Sequence, residues 1–427
     1  MAGFASAGEL SRVGNVLRYT EASSDPTPND VGITFCDPDA NVDCDAGDPG
    51  PYYLVTEDVD PGIVTSPTGA CAPWSVDPDF WKCASEGVER WEVSLGGGND
   101  QFRFQSSNFN TLTVPAWVAG DDGDDELDGT LNRDVLDGGA GDDLLFALAG
   151  EDVLQGGPGD DILSGDEGND LFDGGLGSDW IMGGSPGDVV TYADRTEGVT
   201  VNLGVGGRDD GSALDGPAGA RDEIVGITVV IGGRSDDELN GNALSTPIRL
   251  RGGPGNDVLS GGLGPNTLFG QTGNDELNGS DDIDVLSGGT GNDELDGHGD
   301  LDMVSGDAGR DSVEGRDGNV DDLDCGSEVD SALTDAVDLR TSCEPSTTIT
   351  QKPPKTTGAR TATFKFTSTT PGVRFQCRLD GGNWVVCNSG TKMYTGLSRT
   401  QHTFRVRARD LDGTADPTPA IWTWRVT

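Results

Sequence analysis

The chain repeats itself every nine residues, and that period limits the folds open to it more than any other feature. From Gly120, eight nonapeptides follow without a gap to Thr191: GDDGDDELD, GTLNRDVLD, GGAGDDLLF, ALAGEDVLQ, GGPGDDILS, GDEGNDLFD, GGLGSDWIM and GGSPGDVVT. Another unit, GGRSDDELN, occupies 232–240, and seven more run from Gly252 to Glu314. Across the fifteen units of the two unbroken runs, position 6 is Asp in fourteen, Asn266 being the exception. Position 8 is apolar in all fifteen: Leu127, Leu136, Leu145, Leu154, Leu163, Phe172, Ile181, Val190, Leu259, Leu268, Leu277, Leu286, Leu295, Val304 and Val313. Disordered polar tracts keep no such register. Only 33% of the 427 residues are hydrophobic and 67 are Gly, too lean for a conventional core of this size. A repeat fold with a thin apolar stripe meets both constraints.

The other fixed positions point to metal chemistry. Gly at positions 1, 2 and 4 permits φ > 0, and the missing Cβ lets carbonyl oxygens converge. Asp at position 6 supplies a short, hard, anionic oxygen, which Ca²⁺ prefers. The units resemble the repeats-in-toxin (RTX) calcium-binding family, whose nonapeptide is G-G-x-G-x-D-x-U-x with U apolar. The resemblance covers roughly half the chain. It implies a parallel β-roll, a right-handed solenoid in which six residues of each unit form a calcium-binding turn and three a strand.

Two nonapeptides complete one turn of such a roll, so turns stacked on one side are eighteen residues apart. Candidate ligands in the first run are then Asp125, Asp143, Asp161 and Asp179 on one side, and Asp134, Asp152, Asp170 and Asp188 on the other. In the second run Asp257, Asp275, Asp293 and Asp311 face Asn266, Asp284 and Asp302, and Asp237 belongs to the separate unit. One ion between successive turns gives an upper bound of about eleven Ca²⁺ ions. Units short of glycine, 129–134 and 147–152, and the one with neutral Asn266 beside Pro265 are expected to be weak sites.

Charge separates the chain into three regions. Residues 1–119 hold 18 acids and 5 bases, residues 120–344 hold 53 and 10, and residues 345–427 hold 4 and 12. The total of −48 excludes nucleic acid as a partner of the chain, because a basic footprint is missing over most of it. Anionic membrane surfaces are excluded on the same ground. No apolar run reaches 18 residues, so no membrane span is expected, and Met1–Phe4 leads straight into polar sequence without a signal-peptide pattern.

The eight cysteines flank the repeats in close pairs, without CxxC spacing. The expected disulfides are Cys36–Cys44, Cys71–Cys83, Cys325–Cys343 and Cys377–Cys387, which place the chain in an oxidising, extracellular compartment. Residues 1–119 read as a β leader or cap ending in the incipient turn Gly96–Asp100. The alternating Asp37, Asp39, Asn41, Asp43 and Asp45 lack the central Gly and closing Glu of an EF-hand loop. Residues 120–344 are the roll, with an insertion at about 189–231 and a cap at about 315–344. Residues 345–427 form a linker and a β unit resembling the Ig-like sandwiches of bacterial secreted proteins, carried by the phrases FQCRLDG, HTFRVRA and DPTPA.

Nothing in the sequence marks an enzyme. The two histidines, His298 and His402, form no HExxH, and neither GxSxG nor a P-loop occurs. The chain is read as a non-enzymatic, secreted calcium-binding protein with an adhesive or scaffolding role and an extracellular glycan or cell-surface partner. The alternative is a calcium-dependent polysaccharide-modifying enzyme, a lyase, epimerase or hydrolase working with carboxylate pairs.

Overall fold

The computed structural model describes residues 89–427 except 105–113, 205–206, 208–209, 217–220, 243, 327–330, 335–336, 342, 344–346, 369–372, 410–414 and 417. Before residue 89 it describes the backbone of six strands: Glu9–Val13, Val16–Thr20, Asp30–Cys36, Tyr52–Glu57, Cys71–Pro73 and Phe80–Ala84. Every described element is a strand. Two compact units divide the chain, Met1–Ile231 and Gly232–Thr427.

In the first unit short parallel strands stack at a fixed increment. On one side Ala116–Asp122, Val135–Ala140, Val153–Pro158, Leu171–Leu176 and Val189–Thr191 pair in turn, with Leu136 opposite Leu154. On the other Glu126–Asp128, Leu144–Phe146, Ile162–Gly168 and Trp180–Gly184 do the same, with Leu145 opposite Leu163. A partner eighteen residues away means that two nonapeptides close one turn. This is a parallel β-solenoid, and its core is the predicted stripe: all fifteen position-8 residues are at most 1% exposed.

The roll survives its interruption. Val190 pairs with Val230 and Ile181 with Ile224, so the chain leaves the stack after Thr191 and re-enters at Asp222. Within that excursion Val199–Asn202 pairs antiparallel with Gly211–Ser212. Before the repeats, Phe102 of Gln101–Phe104 sits opposite Leu127, and Arg90–Ser94 runs parallel to Ala116–Asp122. The earlier strands form antiparallel pairs, Glu9–Val13 with Val16–Thr20 and Asp30–Cys36 with Tyr52–Glu57. Cys71 stands opposite Cys83 in backbone register. The expected bridges Cys36–Cys44 and Cys71–Cys83 lie outside the residues whose side chains are described, as does the Asp37–Asp45 segment.

The second unit opens with the same solenoid. Ile248–Pro254, Asn266–Thr272, Val285–Gly291, Met303–Gly309, Asp322–Asp324 and Leu339–Thr341 stack in parallel, opposite Glu238–Asn240, Val258–Ser260, Glu276–Ser280, Glu294–His298, Ser312–Gly315 and Ser331–Thr334. The predicted disulfide Cys325–Cys343 joins positions 18 residues apart, one full turn. Beyond it a three-stranded sheet (Thr347–Gln351, Thr361–Ser368, Thr391–Thr395) and a five-stranded sheet share one core. Phe364 stacks on Phe404 at 4.0 Å and meets Trp424 edge-on at 5.3 Å. Cys377–Cys387, also predicted, closes a ten-residue loop beside that core.

Candidate metal centre

The position-6 aspartates do not face solvent. Asp125, Asp134, Asp143, Asp152, Asp161, Asp170, Asp179, Asp188, Asp237, Asp257, Asp275, Asp284, Asp293, Asp302 and Asp311 are all at most 3% exposed. One carboxylate oxygen of each stacked member ties turn to turn. The Asp125 N–H donates to Asp143 Oδ1 at 2.7 Å, Asp143 to Asp161 at 2.8 Å, and Asp161 to Asp179 at 3.0 Å. The opposite side repeats this from Asp134 through Asp152 and Asp170 to Asp188, and the second unit from Asp257 through Asp275 and Asp293 to Asp311. The structure therefore brings the predicted residues together in the predicted columns.

The second oxygen is the chemical signal. Oδ2 of Asp125, Asp143, Asp152, Asp161, Asp170, Asp179, Asp188, Asp257, Asp275, Asp293 and Asp302 is buried and accepts no hydrogen bond. An isolated carboxylate oxygen in that position costs several kcal/mol unless a cation answers it. Burial pushes Asp125, Asp143, Asp152, Asp161, Asp257 and Asp302 up to about 7, against the hydrogen bonds that oppose the shift. Asp179 is pushed to about 9, by burial first and then by the neighbouring charge of Asp222.

Glycine makes the room. A Cβ on Gly120 would lie 2.2 Å from Asp125 Oδ2 and 2.4 Å from the Gly138 carbonyl oxygen. The same point at Gly156 is 2.4 Å from Asp161 Oδ2 and 2.3 Å from Gly174 O. Carboxylate and carbonyl thus converge where position 1 lacks a side chain, and any side chain there would clash with both. Among the described residues no three His, Cys, Asp or Glu side chains gather at one point. A cation here would have one carboxylate oxygen per turn available to it, with main-chain carbonyls to complete its ligands.

Three further residues outside the two runs occupy position 6 of a turn, at most 2% exposed: Asp100, at the end of the incipient turn read in the sequence, and Asp222 and Asp321, which the nine-residue period did not show. Asp100 N–H donates to Asp125 Oδ1, Asp179 N–H to Asp222 Oδ1 and Asp302 N–H to Asp321 Oδ1. Their sequence separations of 25, 43 and 19 broke the period. At Asp222 the excursion closes the turn, because the buried Tyr192 hydroxyl donates to Asp222 Oδ2 at 2.8 Å.

The histidines fall into place separately. His298 lies at position 2 of its turn with φ 68°, in place of a turn glycine. His402 is buried between Asp380 Oδ2, 2.6 Å from Nδ1, and the Ser398 carbonyl oxygen, 2.9 Å from Nε2. Ser398 Oγ is 3.4 Å from Nε2, which brings serine, histidine and aspartate together. Both ring nitrogens lie against acceptor oxygens, however, and Nε2 is nearer the Ser398 carbonyl oxygen than its hydroxyl, an arrangement that suits a ring donating from both nitrogens better than a base for the serine proton. Burial works against its charge, but the bonds to Asp380 and Ser398 outweigh it and hold His402 above the ordinary histidine value. With only two histidines, proton NMR reads this directly. His402 is expected to titrate above about 6.5, and Asp380→Asn to lower it. A folded pKa above the unfolded one stabilises below the unfolded pKa and is lost as pH rises through the folded one. An unshifted His402 would contradict the clamp.

Stacked nonapeptide turns, short parallel strands and converging carboxylate and carbonyl oxygens define a calcium-binding β-solenoid. The family model described as the RTX calcium-binding nonapeptide repeat (4 copies) matches residues 119–154, 146–181, 155–188, 251–286 and 278–313. The chain thus carries RTX repeats in both of its units. No curated protein matches it. No helix among the described residues is long and apolar enough to cross a membrane.

Proposed function

We propose that this protein is a secreted, calcium-folded β-roll with a binding, adhesive or scaffolding role, and not an enzyme. The observation that carries the reading is the column of buried Asp Oδ2 atoms that accept no hydrogen bond. Calcium, when bound, supplies the positive charge these columns require. Asp125, Asp143 and Asp161 are the leading ligands on one side, Asp152 and Asp170 on the other, and Asp257, Asp275 and Asp293 in the second unit. Oδ1 of each of these residues already accepts the backbone N–H of the position-6 residue one turn earlier in its column, which leaves Oδ2 to the ion.

The flanking regions extend this reading. The strands before residue 119 serve as the N-terminal cap, which an open solenoid needs to cover its edge. The two packed sheets after residue 345 are an Ig-like module, and its excess of bases, 12 against 4 acids, suits an acidic extracellular glycan. Secretion follows from the disulfides Cys325–Cys343 and Cys377–Cys387 and from the millimolar calcium outside cells.

Isothermal titration of the calcium-stripped full chain is the test. Multiple calcium ions are expected to bind, with magnesium much weaker, because Mg²⁺ demands closer octahedral geometry than these main-chain cradles offer. Equal response to both ions would refute the reading. Incubation with alginate or pectin separates binder from enzyme: retention without product supports the proposal, and cleavage or epimerisation would replace it.

A further inference from the structure

The sequence presents the nonapeptide turns as one motif, but the backbone sorts them into two kinds. In the eleven turns whose Asp Oδ2 is buried without a partner, the residue at position 2 is left-handed, with φ from 62° to 111°. In four others, 129–134, 232–237, 261–266 and 279–284, position 2 is Thr130, Gly233, Gly262 or Ser280, and none is left-handed. There the side-chain oxygen is already engaged. Thr130 N–H donates to Asp134 Oδ2 at 2.5 Å, Gly233 N–H to Asp237 Oδ2 at 2.6 Å, and Gly262 N–H to Asn266 Oδ1 at 3.0 Å. The Ser280 hydroxyl donates to Asp284 Oδ2 at 3.1 Å. The division holds in all fifteen turns compared, and residue type does not produce it. Glycine occurs in both kinds, and Leu148, Gln271 and His298 are left-handed despite their side chains.

We infer that these four turns are self-locked and take no cation, so that calcium is confined to turns whose position 2 is left-handed. The inference rests on reading the open turns as calcium sites. An N–H or O–H aimed at the ligand oxygen puts a partial positive charge where the ion would sit. Admitting the ion would mean breaking that bond and turning the peptide over. Asn266 is the internal precedent. Its neutral amide fills the same role as the three aspartates, and its Nδ2 donates to Asp284 Oδ1 at 2.9 Å and to Ser280 Oγ at 3.2 Å. A donor group in that place does the work of a cation.

The locked turns are not scattered. Turn 129–134 precedes 147–152, 165–170 and 183–188 in its column. Turn 232–237 precedes 252–257, 270–275 and 288–293. Turns 261–266 and 279–284 precede 297–302. Three of the four columns thus receive a turn that closes without metal before turns that need it, and the column of Asp125, Asp143, Asp161 and Asp179 is open throughout. Such turns are templates on which the calcium-dependent turns stack.

Native mass spectrometry of the full chain in calcium tests this by counting ions. The triple variant Asp134→Asn/Asp237→Asn/Asp284→Asn is expected to keep the wild-type number. Asp161→Asn, in an open turn, is expected to lose at least one. Fewer ions on the triple variant would overturn the inference. So would its failure to fold in calcium, since Asn266 shows that an amide suffices in a locked turn. Hydrogen exchange gives a second reading on the wild type: the Thr130 and Gly233 amides are expected to stay protected at saturating calcium. Rapid exchange there would show the locks opening to admit ions. A wild-type chain that binds no calcium would sink the calcium reading itself, whereas loss of ions from the triple variant alone would sink only the lock.

Discussion

Stripping calcium from the full chain is expected to abolish most of its far-UV β signal and to enlarge its hydrodynamic radius, and returning calcium to reverse both. The cause is the residues 120–344, which hold 53 acids against 10 bases, with the position-6 carboxylates buried in columns. At an effective dielectric near 20, two such charges about 4 Å apart repel by about 4 kcal/mol. Burial of one apolar residue per nonapeptide does not offset this together with the ordering entropy of the other eight. A ligand bound only by the folded state adds about 4 kcal/mol per site at a thousand times its dissociation constant. At the low calcium of a cytoplasm that contribution disappears, so the secretion proposed above would couple folding to export. A complete β signal in chelator, or full recovery with magnesium, would refute the coupling.

Gly141→Ala is expected to destabilise the first unit strongly. Gly141 has φ +140°, and a Cβ there would lie 1.8 Å from the Gly123 carbonyl oxygen. That oxygen is backbone, so relief requires two successive turns to move apart. Forcing a non-glycine residue into such a conformation costs about 1–3 kcal/mol before any ligand is displaced. In a unit of this size each kcal/mol lowers the melting temperature by about 2–4 °C. Calcium affinity falls as well, because the turns 120–125 and 138–143 no longer converge. Gly358→Ala is the control, since a Cβ there meets nothing within 4 Å. Equal melting temperatures for the two variants would show that the turns stack more loosely than described.

The solenoid was legible in the sequence because one side chain in nine is all the core requires, and Leu127 to Val313 keep that beat. The columns of aspartates followed from the same arithmetic. Asp222 and Asp321 were missed because the chain between stacked turns can lengthen while the strand register is kept, and a fixed period does not see such loops; Asp100 showed only as the end of the incipient turn Gly96–Asp100. The division into open and locked turns was not legible, because it lies in the backbone. Gly233 and Gly139 are the same residue in the same position with opposite outcomes. Turn 147–152 shows the converse. Its missing glycines mark it as weak in sequence, yet Leu148 adopts φ 74° and Asp152 Oδ2 stays open. Neighbouring turns impose the conformation at a cost of about 1–2 kcal/mol.

The disulfide across one turn also bears on how the second unit responds to load. In a solenoid, tension applied at the chain ends does not shear many hydrogen bonds at once; it strips one coil at a time, starting from whichever end is free. Each coil of eighteen residues released in this way pays out about 60 Å of slack. Cys325–Cys343 fastens the final coil to the one before it. Traction from the C-terminal side is therefore arrested at Cys343, and the covalent link passes it to the preceding coil. Reduction would convert a fixed anchor into a spool.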